Sequence, residues 1–141
     1  MIETASMARH HKLIAWEKRL KRVFDRIDDM LESKYGHLYP LHPARAGRGT
    51  TSNKAYDGLF NVGAAFTPGF GSEIGRGYIV RIRMVTLSKV PRKVRRKIEK
   101  RVVKMLRKEL AREFPRRRLR VSRDGRIYKI HGDLSLGRLR S

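Results

Sequence analysis

The spacing of apolar residues near the start of the chain predicts a long amphipathic helix. Apolar side chains recur there at alternating intervals of three and four residues, which brings them to one face of a helix. They are Leu13, Trp16, Leu20, Val23, Ile27 and Met30, with Phe24 and Leu31 widening the stripe. Gly36 supplies the expected C-terminal stop. We expect Trp16 to anchor the core and residues 1–9, ahead of the stripe, to be disordered.

The periodicity disappears between residues 36 and 57. This stretch contains Pro40, Pro43, Gly47 and Gly49 before a polar run. Irregular segments above about 12–15 residues are uncommon in compact domains and are often functional or disordered. We therefore predict a long irregular loop over residues 36–57.

Alternation of apolar residues with smaller or polar ones predicts two strands, within residues 60–66 and 78–85. The glycine-rich stretch between them, residues 67–77, matches no dinucleotide-binding pattern and lies between two strands, not between a strand and a helix. We expect an antiparallel pair joined by a wide, mobile loop.

A second helix is predicted between Pro91 and Pro115. Its apolar arc is Val94, Ile98, Val102, Met105, Leu106 and Leu110. After it, Asp124-Gly125 is the strongest turn signal in the chain and predicts a hairpin. A two-residue loop at Asp124-Gly125 places Val121 opposite Tyr128 and Leu119 opposite Ile130. Residues 132–141 should form a loose tail.

These elements predict a single α+β domain over residues 1–141, in the order α-β-β-α-β-β. A mostly antiparallel sheet would be covered by the two amphipathic helices. The chain has no cysteine, which suits a reducing compartment. It also lacks a signal-peptide core and an apolar run of about 20 residues. We therefore expect a cytoplasmic protein without a transmembrane segment, and no pattern indicates a cofactor.

Charge adds the main functional clue. The formal net charge is +22, and residues 71–141 contain 24 of the 35 Lys and Arg residues against only six of the 13 Asp and Glu. So many like charges repel one another in the folded state and lower its stability. A polyanionic partner is the simplest explanation for keeping them. A solvated thermophile-type surface is the alternative, but such surfaces normally enrich Glu together with Lys and Arg.

The second helix concentrates this charge on the arc opposite its apolar stripe. Placing residues at 100° per position puts six cations there: Lys93, Arg96, Lys97, Lys100, Lys104 and Arg107. The following segment and hairpin add Arg116, Arg117, Arg118, Arg120, Arg123 and Arg126. Phosphates along a nucleic-acid backbone would relieve the repulsion between these neighbours, because each contact releases counterions.

These features favour nucleic acid as the partner, with another polyanion or an anionic membrane as alternatives. Structured RNA is favoured over DNA because no helix-turn-helix spacing, zinc-finger ligand set or basic-zipper pattern occurs. The ribosome or another ribonucleoprotein would be one natural setting. We expect binding through phosphates and shape, without catalysis.

The competing hypothesis is a phosphate-directed enzyme built on residues 36–57 and 67–77. Arg45, Arg48 and Arg76 are the candidate phosphate ligands, and His42 and Asp57 are the weak catalytic candidates. The two prolines near His42 give the simpler interpretation, a rigid connector whose polar residues make turns.

A metal site formed by Asp57, Glu73 and Asp133 beside His131 is a further alternative. The five histidines are scattered and show no metal-ligand spacing. We therefore name no metal ligand.

Overall fold

The computed structural model describes residues 2–135, with side chains from residue 7 onwards. Two helices cover one face of a four-stranded antiparallel sheet with the strand order β1-β2-β4-β3. The elements are α1 (Ile2–Tyr35), β1 (Phe60–Thr67), β2 (Gly77–Met84), α2 (Arg92–Glu113), β3 (Leu119–Asp124) and β4 (Ile127–Gly132). The predicted α+β class and the α-β-β-α-β-β order are confirmed.

From Trp16 onwards the apolar stripe of α1 forms one wall of the core, whereas Leu13 is exposed. Trp16 is buried, donates a hydrogen bond from Nε1 to the Tyr78 hydroxyl at 3.0 Å, and packs its ring 4.6 Å from that of Phe114. The expectation of disorder over residues 1–9 was wrong for residues 2–9, which belong to α1. Residues such as Ala5 and Ala8 are strong helix formers, and no glycine or proline interrupts this part of the chain.

Acidic side chains near the end of α2 join it to α1. Arg26 donates from Nε to Glu109 at 2.9 Å and from Nη2 to Glu113 at 3.2 Å. Arg19 also contacts Glu113. Two of the three glutamates of α2 are therefore turned towards α1 and away from the outer face of α2.

The β3–β4 hairpin turns one residue later than the sequence predicted. Asp124 pairs with Ile127, so the loop is Gly125-Arg126 and Val121 lies opposite Ile130, not Tyr128. Gly125 takes the positive φ of 65° that the first position of such a turn requires. Asp124 is thereby placed on the strand.

The two outer strands differ in how their free edges are covered. On β3, Arg107 Nη2 donates to the outward-facing Val121 carbonyl at 2.8 Å. On β1, Glu32 Oε1 accepts from Phe60 N–H at 2.7 Å and Arg45 donates to Phe60 O at 3.0 Å. No described residue forms a further hydrogen bond along the outer edge of β1 after Phe60.

Only part of the predicted tail lies within the described residues. Asp133 N–H donates to Arg118 O at 3.0 Å, and Leu134 packs against the core. Residues 132–135 are therefore attached to the domain, not loose, and residues 136–141 lie outside the described part. None of the described helices is long and apolar enough to span a membrane.

Candidate nucleic-acid interface

The outer face of α2 presents a row of exposed cations. Its buried residues are Ile98, Val102, Val103, Leu106, Glu109 and Leu110, and all six predicted cations lie on the exposed side. At 1.5 Å per residue, the row from Lys93 to Lys104 is about 17 Å long. Because neighbouring positions in the row are three or four residues apart, their Cβ atoms lie about 5–6 Å from each other.

Few acidic groups offset this row. Glu109 and Glu113 are engaged by arginines of α1, which leaves Glu99 as the remaining acid of α2. Within residues 7–135, none of the six predicted cations of α2 belongs to an ion pair. Arg107 also donates to the Val121 carbonyl, and the rest of the row is available to an external anion.

Arg107 links α2 to the edge strand β3, since its guanidinium donates to the Val121 carbonyl. The cations of the hairpin flank this same edge. Arg123 lies on the helix side of the sheet, with its guanidinium carbon 5.8 Å from the centre of the Tyr128 ring. Arg120 points to the opposite face, across from His131. The basic region therefore wraps around the β3 edge.

The segment between α2 and β3 contributes unequally. Arg116 and Arg118 are exposed. The Arg117 guanidinium lies 5.0 Å from the centre of the Trp16 ring and donates to the carbonyls of Asp133 and Ser135. Arg117 thus closes the end of the core, and we omit it from the proposed contact set.

The structure also exposes cations that the sequence interpretation left out. On α2 these are Arg92, Arg95, Arg101, Lys108 and Arg112. On the helix-free face of the sheet, Arg81 and Arg83 are exposed. Strand alternation already indicated these two positions, because they alternate with Tyr78, Val80 and Ile82.

Arg45 is not available as a phosphate ligand, contrary to prediction. Its Nε donates to Gly58 O at 3.0 Å, and its Nη2 approaches the carbonyls of Ala55, Asp57 and Phe60 at 2.6–3.1 Å. The guanidinium thus ties residues 55–60 together and holds the loop against the first residue of β1.

Arg48 is likewise used by the protein itself. Its Nη1 lies 3.2 Å from Asp57 Oδ1 and 2.7 Å from Asp28 Oδ1, and its Nη2 lies 2.7 Å from Asp29 Oδ1. These carboxylates surround the guanidinium and would repel an incoming phosphate. Arg48 therefore also leaves the candidate phosphate set.

Asp57, the last residue of the 36–57 loop, is the hydrogen-bond acceptor that holds the loop together. Its carboxylate accepts hydrogen bonds from Gly49 N–H and Thr51 N–H at 3.1 Å each and from the Thr51 hydroxyl at 3.0 Å. Burial alone would raise the pKa of Asp57, but these bonds and the charge of Arg48 hold it below its usual value. A carboxylate held so firmly in its charged form is a poor general base.

His42 and Asp57 are not brought together with Arg45 in a cavity. His42 Nδ1 accepts from Ala44 N–H at 3.0 Å and so stabilises a turn. The neighbouring cavity of about 640 Å³ is lined by Asp29, Glu32, Ser33, Gly36, His37, Leu38, Tyr39, Pro40, Leu41, Arg48, Gly58 and Leu59. Residues 36–57 contain one short 3-10 turn, Lys54–Tyr56, and the polar residues of the loop hold its own backbone.

Asp28 is a deeply buried carboxylate whose close side-chain partner among the described residues is Arg48. The residue is 1% exposed, and Arg48 Nη1 lies 2.7 Å from its Oδ1 in an ion pair, although neither carboxylate oxygen accepts a hydrogen bond of good geometry from a described residue. Burial raises its pKa to about 7; the Arg48 charge opposes this shift, and the nearby Glu32 and Asp29 reinforce it. The folded protein therefore holds this proton more tightly than the unfolded chain does.

We predict that Asp28→Asn makes the fold more stable above neutral pH. Because the folded pKa is raised, Asp28 lowers the free energy of unfolding as pH rises from about 4 to 7, by at most about 1.4 kcal/mol per pH unit. Urea denaturation of both proteins between pH 4.5 and 8 should show this loss in the wild type and not in the variant. Parallel pH profiles would contradict the assignment.

Loop 68–76 is fixed to the sheet by a buried lysine. Lys129 is 2% exposed and donates from Nζ to Asp124 Oδ2 at 2.6 Å, to Gly75 O at 2.8 Å and to Ser72 Oγ at 3.0 Å. These bonds use all three ammonium protons, and the Ser72 hydroxyl donates to Asp124. The loop is thus anchored at its centre, not freely mobile. Arg76 at its end is exposed and remains a candidate phosphate ligand.

The remaining acidic candidates do not assemble a metal site. Among residues 2–135, no three His, Asp or Glu side chains come together in a group able to hold a metal ion. Burial and the charges of Arg120 and Lys129 lower the pKa of His131, and its Nε2 lies 2.8 Å from Ser122 Oγ.

Comparison with known proteins places this fold in a family. Residues 11–132 match a protein family described as "Uncharacterised protein". The chain belongs to that family. A protein of Borreliella burgdorferi, described as "Uncharacterized protein", is 42% identical over 106 residues, which cover 75% of this chain and 83% of the relative. No solved structure matches the chain. The family match extends from α1 to the last residue of β4, and so includes the whole sheet and the α2 cations.

Proposed function

We propose that this protein binds nucleic acid, preferably structured RNA, through the outer face of α2 and the β3 edge, without catalysing a reaction. The observation that carries the proposal is the row of six exposed cations on α2, whose acidic neighbours Glu109 and Glu113 are already paired with α1. Each phosphate held by such a row releases condensed counterions, and this release drives binding.

The chemistry of the row favours contact with phosphates over recognition of bases. Arg92–Glu113 contains no Asn, Gln, Ser or Thr, so the side chains that commonly read base edges, apart from Arg and Lys, are missing. Cations without such partners position a protein on a backbone but specify little sequence. Structured RNA is recognised largely by shape and backbone contacts. The ribosome or another ribonucleoprotein therefore fits as the setting.

The contacts of the predicted phosphate ligands argue against the alternative of a phosphate-directed enzyme. Arg45 and Arg48 are engaged by carbonyls and carboxylates of the protein, and Asp57 organises the loop. Of the three predicted phosphate ligands, Arg76 alone stays exposed.

The proposal predicts a steep dependence of RNA affinity on salt. Nuclease-treated protein would be titrated into a labelled RNA hairpin and a DNA duplex of matched length across a salt series, with heparin as competitor. If five or six α2 cations contact phosphates, the logarithm of the association constant should fall against the logarithm of salt with a slope near about −5. We expect tighter binding to RNA that resists heparin; equal, weak binding to all three polyanions would contradict the proposal.

A further inference from the structure

Beyond Phe60, no described residue protects the outer edge of β1. Register and hydrogen bonding together show which backbone groups face outward. Val85 N–H donates to its cross-strand partner Leu59 at 2.7 Å, so hydrogen-bonded pairs with β2 fall at odd-numbered positions of β1. The N–H and C=O groups of Val62, Ala64 and Phe66 therefore point away from β2, towards the open edge of the sheet, as those of Phe60 do.

Sheet edges in soluble proteins are normally protected by charges, prolines, bulges or a covering segment. The β3 edge has such protection, because Arg107 covers the Val121 carbonyl and exposed arginines flank it. Within the part of the chain that the structure describes, the β1 edge has none after Phe60, and β1 contains no charged residue, proline or bulge. Residues 55–75 also lack any Lys or Arg, although the chain has 35.

An exposed aromatic side chain and an apolar cavity lie next to each other along this same edge. Phe66 is 55% exposed beside the free edge. Next to it, between α1 and β1, is a cavity of about 460 Å³ whose lining includes Leu20, Phe24, Tyr56 and Ala64. Tyr56 is itself 64% exposed. Phe66, Val62 and Ala64 all lie on the helix side of the sheet, since they pair with Tyr78, Ile82 and Val80.

We propose that the β1 edge binds the β1 edge of a second copy of this chain, in antiparallel register with Ala64 of each copy opposite Phe66 of the other. This register forms four new backbone hydrogen bonds from the outward-facing groups. It also brings each Phe66 ring to the partner's cavity, opposite a small alanine. The interface is two-fold symmetric, as most homodimer interfaces are.

Charge favours a second copy at this edge. Two chains of +22 repel each other wherever their basic surfaces meet, and β1 is the strand farthest from the basic α2–β3 region in the order β1-β2-β4-β3. Joining the two β1 strands gives one continuous sheet with the two basic edges at its opposite ends. The dimer does not depend on nucleic-acid binding, and each can be tested without the other.

The test uses nuclease-treated protein in about 0.5 M NaCl, where charge repulsion is screened. Sedimentation should show a dimer whose dissociation constant rises at least about 30-fold in Phe66→Ala, as expected for a buried aromatic anchor. Ala64→Pro removes an outward N–H without breaking a hydrogen bond to β2 and should have a similar effect, while Phe70→Ala, on the 93% exposed loop residue, should not. Circular dichroism would confirm that each variant is folded.

Cross-linking tests the register directly because the chain has no cysteine. In the proposed register Ala65 lies opposite Ala65 of the second copy, at the closer, non-hydrogen-bonded spacing. Under mild oxidation, Ala65→Cys should form a disulfide dimer at least about tenfold faster than Phe70→Cys. A protein that stays monomeric, a dimer unaffected by Phe66→Ala and Ala64→Pro, or equal cross-linking rates would each overturn the proposal. If the protein is monomeric, the β1 edge would instead be a binding site for a strand of a different protein.

Discussion

Reversing Lys97, Lys100 and Lys104 to Glu should abolish binding to structured RNA, lowering affinity at least about a hundredfold near 0.1 M salt. Each lost phosphate contact removes close to one counterion from the salt dependence. The slope against salt should therefore become shallower by about three units. These three side chains are exposed and make no ion pair with any described residue, so the free energy of unfolding should stay the same or rise slightly as repulsion along the row is relieved.

The matched control places the same charge change on α1. Reversal of Arg9, Lys18 and Lys34, which are also exposed, lowers the formal net charge by the same six units. If the α2 row is the interface, this control should lose much less affinity and keep most of the salt slope. Equal losses in the two variants would mean that total charge, and not the α2 surface, drives binding.

Replacing Asp57 by Ala should destabilise the fold by about 3 kcal/mol. The change leaves the N–H groups of Gly49 and Thr51 without their acceptor and removes one anionic partner of Arg48. Losing one partner of a buried charged network commonly costs this much, because the remaining groups stay buried and unpaired. Urea denaturation followed by the fluorescence of Trp16, the only tryptophan, measures the loss.

This variant also separates a structural role of the loop from a catalytic one. While folded, Asp57→Ala should bind RNA with wild-type affinity, since Asp57 is buried in the 36–57 loop and the proposed interface is on α2 and β3. Ser52→Ala in the same loop, at an exposed position, should change neither stability nor binding. A fully stable Asp57→Ala that loses RNA binding would move the functional site to this loop.

Features that are set within a single helix or strand could be predicted from the sequence. The 3.6-residue period sufficed for α1 from Leu13 onwards and for α2, and therefore for the outer cations of α2, whose placement needs no knowledge of other elements. Strand alternation likewise placed Tyr78 and Val80 towards the core and Arg81 away from it.

What the sequence did not reveal depends on contacts between distant residues. The hairpin turns at Gly125-Arg126 and leaves Asp124 on β3, where it meets Lys129 and Ser72, 52 residues away along the chain. The acceptors of Arg45 lie 10–15 residues further along the chain, and the carboxylates around Arg48 come both from α1 and from Asp57. The local sequence shows two arginines in a glycine-containing loop, an arrangement that also occurs in phosphate sites. It contains no information about the carbonyl and carboxylate groups that Arg45 and Arg48 contact in the fold.

We propose that nucleic acid binds at α2 and the β3 edge. Backbone amide NMR of this 16.4 kDa protein, titrated with a short RNA hairpin, tests it most directly. We expect chemical-shift changes to concentrate at residues 92–107 and 118–126, and a higher salt concentration to reverse them. Shifts concentrated in residues 36–57 and 68–76, with α2 unchanged, would contradict it.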